Sequence, residues 1–354
     1  MSQEKLIKWY IDEYKPFDDE EKSLLEEPQS EHKTYEFGNE PEFCKPIGRE
    51  FDKFFYLMPF CNISSKTHRI EVADTGSYFI RELFKKYASA DNIFVLSSTC
   101  EHDTTRECLS NVKNKLELYI KDIRSLNIDR IIEAYKISKC NFFMLYMVGT
   151  SISSGEIIPQ IFFELLKKRL EDENIDHILI LDDVHGMFIT PRDYRIFDYI
   201  LYTAHSLVCD YNMGMLISRN EYQPIGKFDW IGLERYYDRL NIILERKDKL
   251  RLFKQVLSQY FAEELSDTEF YGLHEFTSQH IFSLKTYNLK FTQRQWDKLN
   301  EYKIRLGEGD WYQNFARIRF QEFIRQDSDK MIEGLELLKK TLKICRKTYL
   351  ETRG

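Results

Sequence analysis

Short, nearly continuous apolar runs that alternate with longer amphipathic stretches constrain this chain more than any other feature of its sequence. From Thr75 onward the runs NIFVLS (92–97), FFMLYMV (142–148), HILIL (177–181), YILYT (199–203) and MGMLIS (213–218) are separated by stretches of helical spacing at 77–87, 105–118 and 157–170. A strand covered on both faces needs such a run, because its alternating side chains all meet apolar neighbours. The order strand, helix, strand predicts an α/β fold, a mainly parallel sheet sandwiched by helices.

The rest of the chain divides around that sheet. Residues 1–70 mix polar and aromatic segments with a proline- and acid-rich stretch at 26–46 that reads as loop, and they form a divergent N-terminal segment. Residues 71–235 hold the large domain. The stretch 231–265 has no proline and carries apolar residues at three- and four-residue spacing, which predicts one long helix or two in tandem, bridging two domains over 236–265. HIFSLKTY, a helical stretch at 293–302, FARIRF and an amphipathic helix at 328–345 predict a small C-terminal α+β domain over 266–354.

Charge and cysteine content narrow the function classes. A chain of 354 residues with 31% charged side chains is globular, and its net charge of -7 argues against nucleic acid or an anionic membrane as the main partner. No apolar run is long enough to span a membrane, and the acidic, amphipathic opening MSQEKLIKWYIDEYKPFDDEEK is unlike a signal peptide, so a cytoplasmic location is expected. The seven cysteines (Cys44, Cys61, Cys100, Cys108, Cys140, Cys209, Cys345) are scattered, without the spacing of a zinc site, and are expected to be free thiols; no metal is expected.

The sharpest local feature is LDDVHGMF, where a buried strand ends in Asp182 and His185 follows three residues later. In α/β sheets ligands sit at the carboxyl ends of strands, so both side chains are placed to face a pocket; a turn cap with an incidental histidine is the plain alternative. This pattern resembles the pyridine-binding strand of the fold-type-I pyridoxal-phosphate (PLP) enzymes, especially the class V aminotransferases and cysteine desulfurases. In that family the aspartate pairs with the protonated ring nitrogen. LSSTCEHDTT is similar to the family's strand followed by Glu-His, which assigns ring stacking to His102, and VADTGSYFIRELF resembles the turn that holds the cofactor phosphate, which assigns Thr75, Gly76 and Ser77 to that role. TAHSLVCDYNMGMLIS matches the family's segment of serine, glycine, histidine and lysine without a gap, with His205 on the histidine and Ser206 on the lysine. FARIRFQEF resembles the small-domain strand whose arginine grips a substrate carboxylate, with Arg317 as the match and Arg319 in reserve.

The departures bear on chemistry. A serine at 206 cannot hold the cofactor covalently as a lysine amine does. Ile152 stands where the family has an asparagine that contacts the ring hydroxyl, and no cysteine precedes FARIRF on a loop where a desulfurase keeps its nucleophile. Lys227, the nearest downstream lysine, reads first as a solvated charge. The resemblance therefore implies an aminotransferase-like protein with a degenerate pocket, taking PLP, its amine form PMP or another phosphorylated ligand without a covalent link, with a small amino acid-like or phosphorylated ligand as its partner. It would act as a noncanonical enzyme, with His205 and Ser206 at the catalytic place, or as a non-catalytic subunit in a homodimer or a heterodimer with a related chain. The alternatives are an interaction scaffold with no cofactor, or a true PLP aminotransferase that uses another lysine.

Overall fold

The computed structural model describes residues 3–14, 36, 63–99, 101–151, 155–186, 192–203, 213–227, 247–262, 269–270, 281–285, 289–306, 315–323 and 326–351. The chain divides into two compact units, one of residues 27–152 and 157–241, the other of residues 1–26, 153–156 and 242–354. A short helix, α1 (Gln3–Trp9), opens the chain and belongs to the second of these.

The first unit is built on a seven-stranded sheet. In chain order its elements are β1 (His68–Ala73), α2 (Gly76–Tyr87), β2 (Ile93–Ser98), α3 (Asp103–Ser110), β3 (Asn114–Leu118), α4 (Ile120–Arg124), α5 (Ile128–Ser138), β4 (Phe142–Val148), α6 (Gln160–Asp172), β5 (His177–Asp182), β6 (Tyr199–Thr203) and β7 (Gly214–Arg219). The strand order is β1-β7-β6-β5-β4-β2-β3. All pairings are parallel except those of β7, which runs against both β6 and β1. Six carboxyl ends therefore share one edge of the sheet, and β7 begins there.

Register fixes what each face carries. Val95, Met144 and Ile178 are partners across β2, β4 and β5; Tyr146, Ile180 and Tyr199 form the next row; Asp182, Leu201 and Leu216 the row after that. These rows, apart from Asp182, pack against Phe79, Ile80, Leu83 and Phe84 of α2 and Leu109 of α3 in one core. Their spacing on α2 gives the single apolar stripe that a helix lying on a sheet requires. The opposite face meets other helices through aromatic contacts, Phe94 and Phe143 with Tyr135 of α5, and Phe163 of α6 with Phe197.

The second unit contains α7 (Lys247–Tyr260), β8 (Glu269–Phe270), β9 (Ile281–Lys285), α8 (Gln293–Glu301), β10 (Ile304–Leu306), β11 (Phe315–Arg319), α9 (Phe320–Phe323) and α10 (Ser328–Glu351). Its strands form an antiparallel sheet in the order β10-β11-β9-β8. On α10 the buried residues Met331, Leu335, Leu338, Leu342 and Cys345 recur at four- and three-residue steps, one stripe along the helix. Phe253 of α7 stacks on Tyr10 with ring centroids 4.9 Å apart and also meets Phe320.

Two expectations need correction. The helix expected over 105–118 ends at Ser110, and Asn114–Leu118 is a strand. The alternation in KLEL suits a parallel edge strand with half-covered side chains, and two-residue periodicity wins over the helical spacing read there. The helix expected over 231–265 is described only as α7, and residues 261–262 already turn; residues 228–246 lie outside the described residues.

Candidate functional site

The carboxyl edge of the large sheet gathers the polar side chains. Thr75 caps α2 with its hydroxyl oxygen, which accepts from the Tyr78 N–H at 3.3 Å. Its neighbour must be glycine, since a Cβ on Gly76 would lie 2.4 Å from the Thr203 methyl at the end of β6. Gly214, at the start of β7, is under the same demand: its Cβ would meet the backbone of Thr75 and Gly76 at 2.3 to 2.5 Å. The first turn of α2 is thus seated directly on β6 and β7. Its leading N–H groups have no carbonyl within the helix to bond, the usual basis of anion binding at a helix start.

A second helix begins beside it. The Ser77 and Thr104 hydroxyls are 3.0 Å apart, which joins the opening turns of α2 and α3. His102 caps α3, its Nδ1 accepting from the Thr104 N–H at 3.2 Å, so the ring carries its proton on Nε2 and stays exposed.

Asp182 ends β5 on the α2 face, register partner of Leu201, whose Cδ1 lies 4.0 Å from the Cβ position of Gly76. Its Oδ2 accepts from the Tyr146 hydroxyl at 3.1 Å and its Oδ1 from the Val184 N–H at 3.3 Å. Burial pushes its carboxyl up to about 7, opposed by those two hydrogen bonds. Burial likewise raises the Tyr146 phenol well above its ordinary value, so it remains a donor. Enclosed and close by is Glu101, whose carboxyl burial raises to about 8.

Asp183, one residue on, faces the other way. Its carboxylate takes the Tyr194 hydroxyl at 2.7 Å and Arg192 Nε at 3.3 Å, while Arg192 also donates to the carbonyls of Gly149 (2.6 Å) and Ile158 (3.1 Å). A Cβ on Gly149 or Gly186 would sit 2.4 Å from Asp183 Oδ1, so both glycines make room for this pair. His185 is buried in the turn that follows.

The site residues expected from sequence thus fall into three groups. Thr75, Gly76, Ser77, His102 and Asp182 come together at one sheet edge, with His185 in the adjoining turn. Arg317 lies in the second unit, buried on β11 opposite Arg305 of β10 and Ser283 of β9. His205, Ser206 and Ile152 lie outside the described residues. Lys227 forms a β-bridge with Val72 and its half-exposed amine lies 3.5 Å from Glu36. Sequence reasoning passed over Glu101, Tyr146, Thr104 and Thr203. Two of them left a signal: Glu101 precedes His102 in a quoted motif, and Tyr146 carries the one hydroxyl in FFMLYMV.

No protein-family model matches the chain, and no curated protein matches it in sequence. Solved structures do match in shape. A NifS-like protein from Rickettsia africae aligns over 94% of this chain and 96% of its own, at 13% identity and a TM-score of 0.66. Ureidoglycine-glyoxylate aminotransferase from Bacillus subtilis aligns over 95% and 92%, at 14% identity and a TM-score of 0.60. The PLP-bound C-S lyase from Staphylococcus hominis aligns over 84% and 83%, at 12% identity and a TM-score of 0.60. This is the fold of the PLP-dependent transferases. Within the PLP-transferase fold the residues present fit such a ligand: a helix start cradled by Gly76 could hold a phosphate, and the buried Asp182 carboxylate could hold a ring N–H. Among the described residues no cluster of metal-ligating side chains is found, and no helix is long and apolar enough to cross a membrane.

Proposed function

We propose that this chain is an aminotransferase-like protein that holds PLP or PMP without a covalent link, as a noncanonical enzyme or as the non-catalytic member of a pair. One observation carries the reading. A buried carboxylate, Asp182, and the seated first turn of α2, Thr75 to Ser77, lie on the same face of the sheet and at the same edge, joined through Leu201 and Thr203.

When bound, the ring would supply an electron sink for reactions at the carbon next to an amino group. The chain's own residues have the following parts. Asp182 accepts the ring N–H, its other donors, Tyr146 and Val184, fixing the carboxylate plane. The first turn of α2 takes the phosphate, and His102 covers the mouth. Arg317 takes a substrate carboxylate. Ser206, at the lysine's place, leaves the ligand exchangeable, and His205 is the nearest base in sequence. The chain pairs with itself or with a related subunit.

The test is an absorbance titration of the purified chain with PLP and with PMP, followed by dialysis and by borohydride reduction. Reversible binding without a reducible bond is expected, weakened about tenfold or more by Asp182→Asn. No binding of either vitamer would favour a scaffold, and a borohydride-trapped adduct on the unaltered chain would show that a lysine still serves the site.

A further inference from the structure

Glu101 has no part in the reading above, yet it sits at the same strand edge as Asp182 and is completely enclosed. Its Oε1 accepts from the Ser98 N–H (3.2 Å), the Ser98 hydroxyl (2.6 Å) and the Val148 N–H (3.0 Å), tying the last residue of β2 to the last of β4. Val148 is in turn the register partner of Asp182. Oε2 is buried and has no hydrogen-bond partner among the described residues. Donors on Oε1 favour a charged carboxylate, and burial opposes it. The bare oxygen decides: an ionised group would enclose a charged atom with no donor to accept from, which costs more than enclosing the neutral O–H of the acid without an acceptor.

We propose that Glu101 is a neutral positioning residue of this site, a carboxylic acid that braces β2 against β4 and leaves Asp182 as the one negative charge offered to a cationic ring nitrogen. The inference deepens the proposed function and rests on it for the identity of the ligand. Electrostatics agrees with the geometry. Burial raises both carboxyls, Glu101 to about 8 and Asp182 to about 7; Asp182 has a donor on each oxygen, which favours its charged form, and that charge helps Glu101 keep its proton. The other titratable groups that act on the pair are the Tyr146 phenol, held neutral, and Asp183, whose charge Arg192 offsets. The site therefore suits a ligand presenting a single positive charge to Asp182.

Infrared difference spectroscopy of the whole chain between about pH 6 and about pH 9 tests this. Two carbonyl bands of neutral carboxylic acids are expected at the acid end, one lost as Asp182 ionises and one that titrates away on the alkaline side. The second should be missing in Glu101→Gln, and in Asp182→Asn it should persist alone but vanish at lower pH, since the neighbouring charge is gone. A PMP titration supplies the second arm: Glu101→Ala should weaken binding about tenfold or more, and Glu101→Gln should restore it to within about threefold of the parent. An alkaline-titrating band absent from the parent or unchanged in Glu101→Gln overturns the proposal, as does a folded Glu101→Gln chain that binds no better than Glu101→Ala. If the parent binds no PMP, the functional reading fails while the infrared band still decides the state of Glu101.

Discussion

Asp182 and Asp183 are neighbours in sequence with opposite environments, and exchanging each for asparagine should separate stability from binding. Asp183 and Arg192 are enclosed, with side chains 0% and 1% exposed, and no other carboxylate is shown bonded to Arg192 among the described residues. Asp183→Asn leaves a buried guanidinium without its counter-charge, a change that costs about 3 to 5 kcal/mol. The two carbonyls that Arg192 retains, at 2.6 and 3.1 Å, place the loss toward the lower end. Asp182→Asn acts the other way. Folding raises the Asp182 carboxyl from 3.8 to about 7, which corresponds to roughly 4 kcal/mol at most. A group whose folded value is raised gives stability that is whole below its unfolded value and lost as pH climbs through its folded one. The asparagine variant does not titrate, so it should gain on the parent progressively between about pH 4 and about pH 8. Urea unfolding across that range, with slopes compared, measures both effects. An Asp183→Asn chain that loses less than about 1 kcal/mol, or an Asp182→Asn chain that loses as much as Asp183→Asn, would refute the division of labour.

Gly76→Ala should cost about 1 to 3 kcal/mol and be largely rescued by Thr203→Ser, which removes the methyl 2.4 Å from the new Cβ. Gly214→Ala should have no such rescue, because backbone atoms obstruct it; thermal melts of the single and double variants check both. Ser206→Lys, shown folded by its melting profile, should form a covalent PLP adduct on residue 206 after borohydride reduction, located by mass spectrometry, with none on the parent. Arg317→Ala should weaken binding of a carboxylate-bearing amino acid about tenfold while leaving the affinity for PMP alone in place, by calorimetric titration.

The sheet strands could be read from sequence because burial on both faces leaves little room for polar residues, and runs such as HILIL and YILYT admit few other readings. β1 could not: HRIEVA alternates charges with apolar residues because Glu71 is enclosed, bonded to the Ser218 hydroxyl and the N–H groups of Ile225 and Gly226, far along the chain. β3 was hidden for a related reason, its covered and open sides alternating as on an amphipathic segment. At the site, Asp182 and His185 stood out by their place after a strand. Tyr146 and Glu101 did not, since their partners come from β5, β2 and β4 at once, and only folding brings these together. The pairing of Arg192 with Asp183 was equally invisible, as nothing local distinguishes two adjacent aspartates until the sheet assigns them faces.

The reversed strand β7 has a consequence for how the molecule is made. β1 lies at the sheet margin beside β7, and the Glu71 and Ser218 side chains that join them are 147 residues apart. As synthesis proceeds from the amino terminus, β2, β4, β5 and β6 can assemble while β1 waits with both edges open, exposed to wrong pairing. Only when Gly214 leaves the ribosome can the chain double back between β6 and β1 and press against Thr75. The seat of the first turn of α2 is therefore completed only after Gly214 is made, and a messenger truncated before that codon would yield most of the sheet without it.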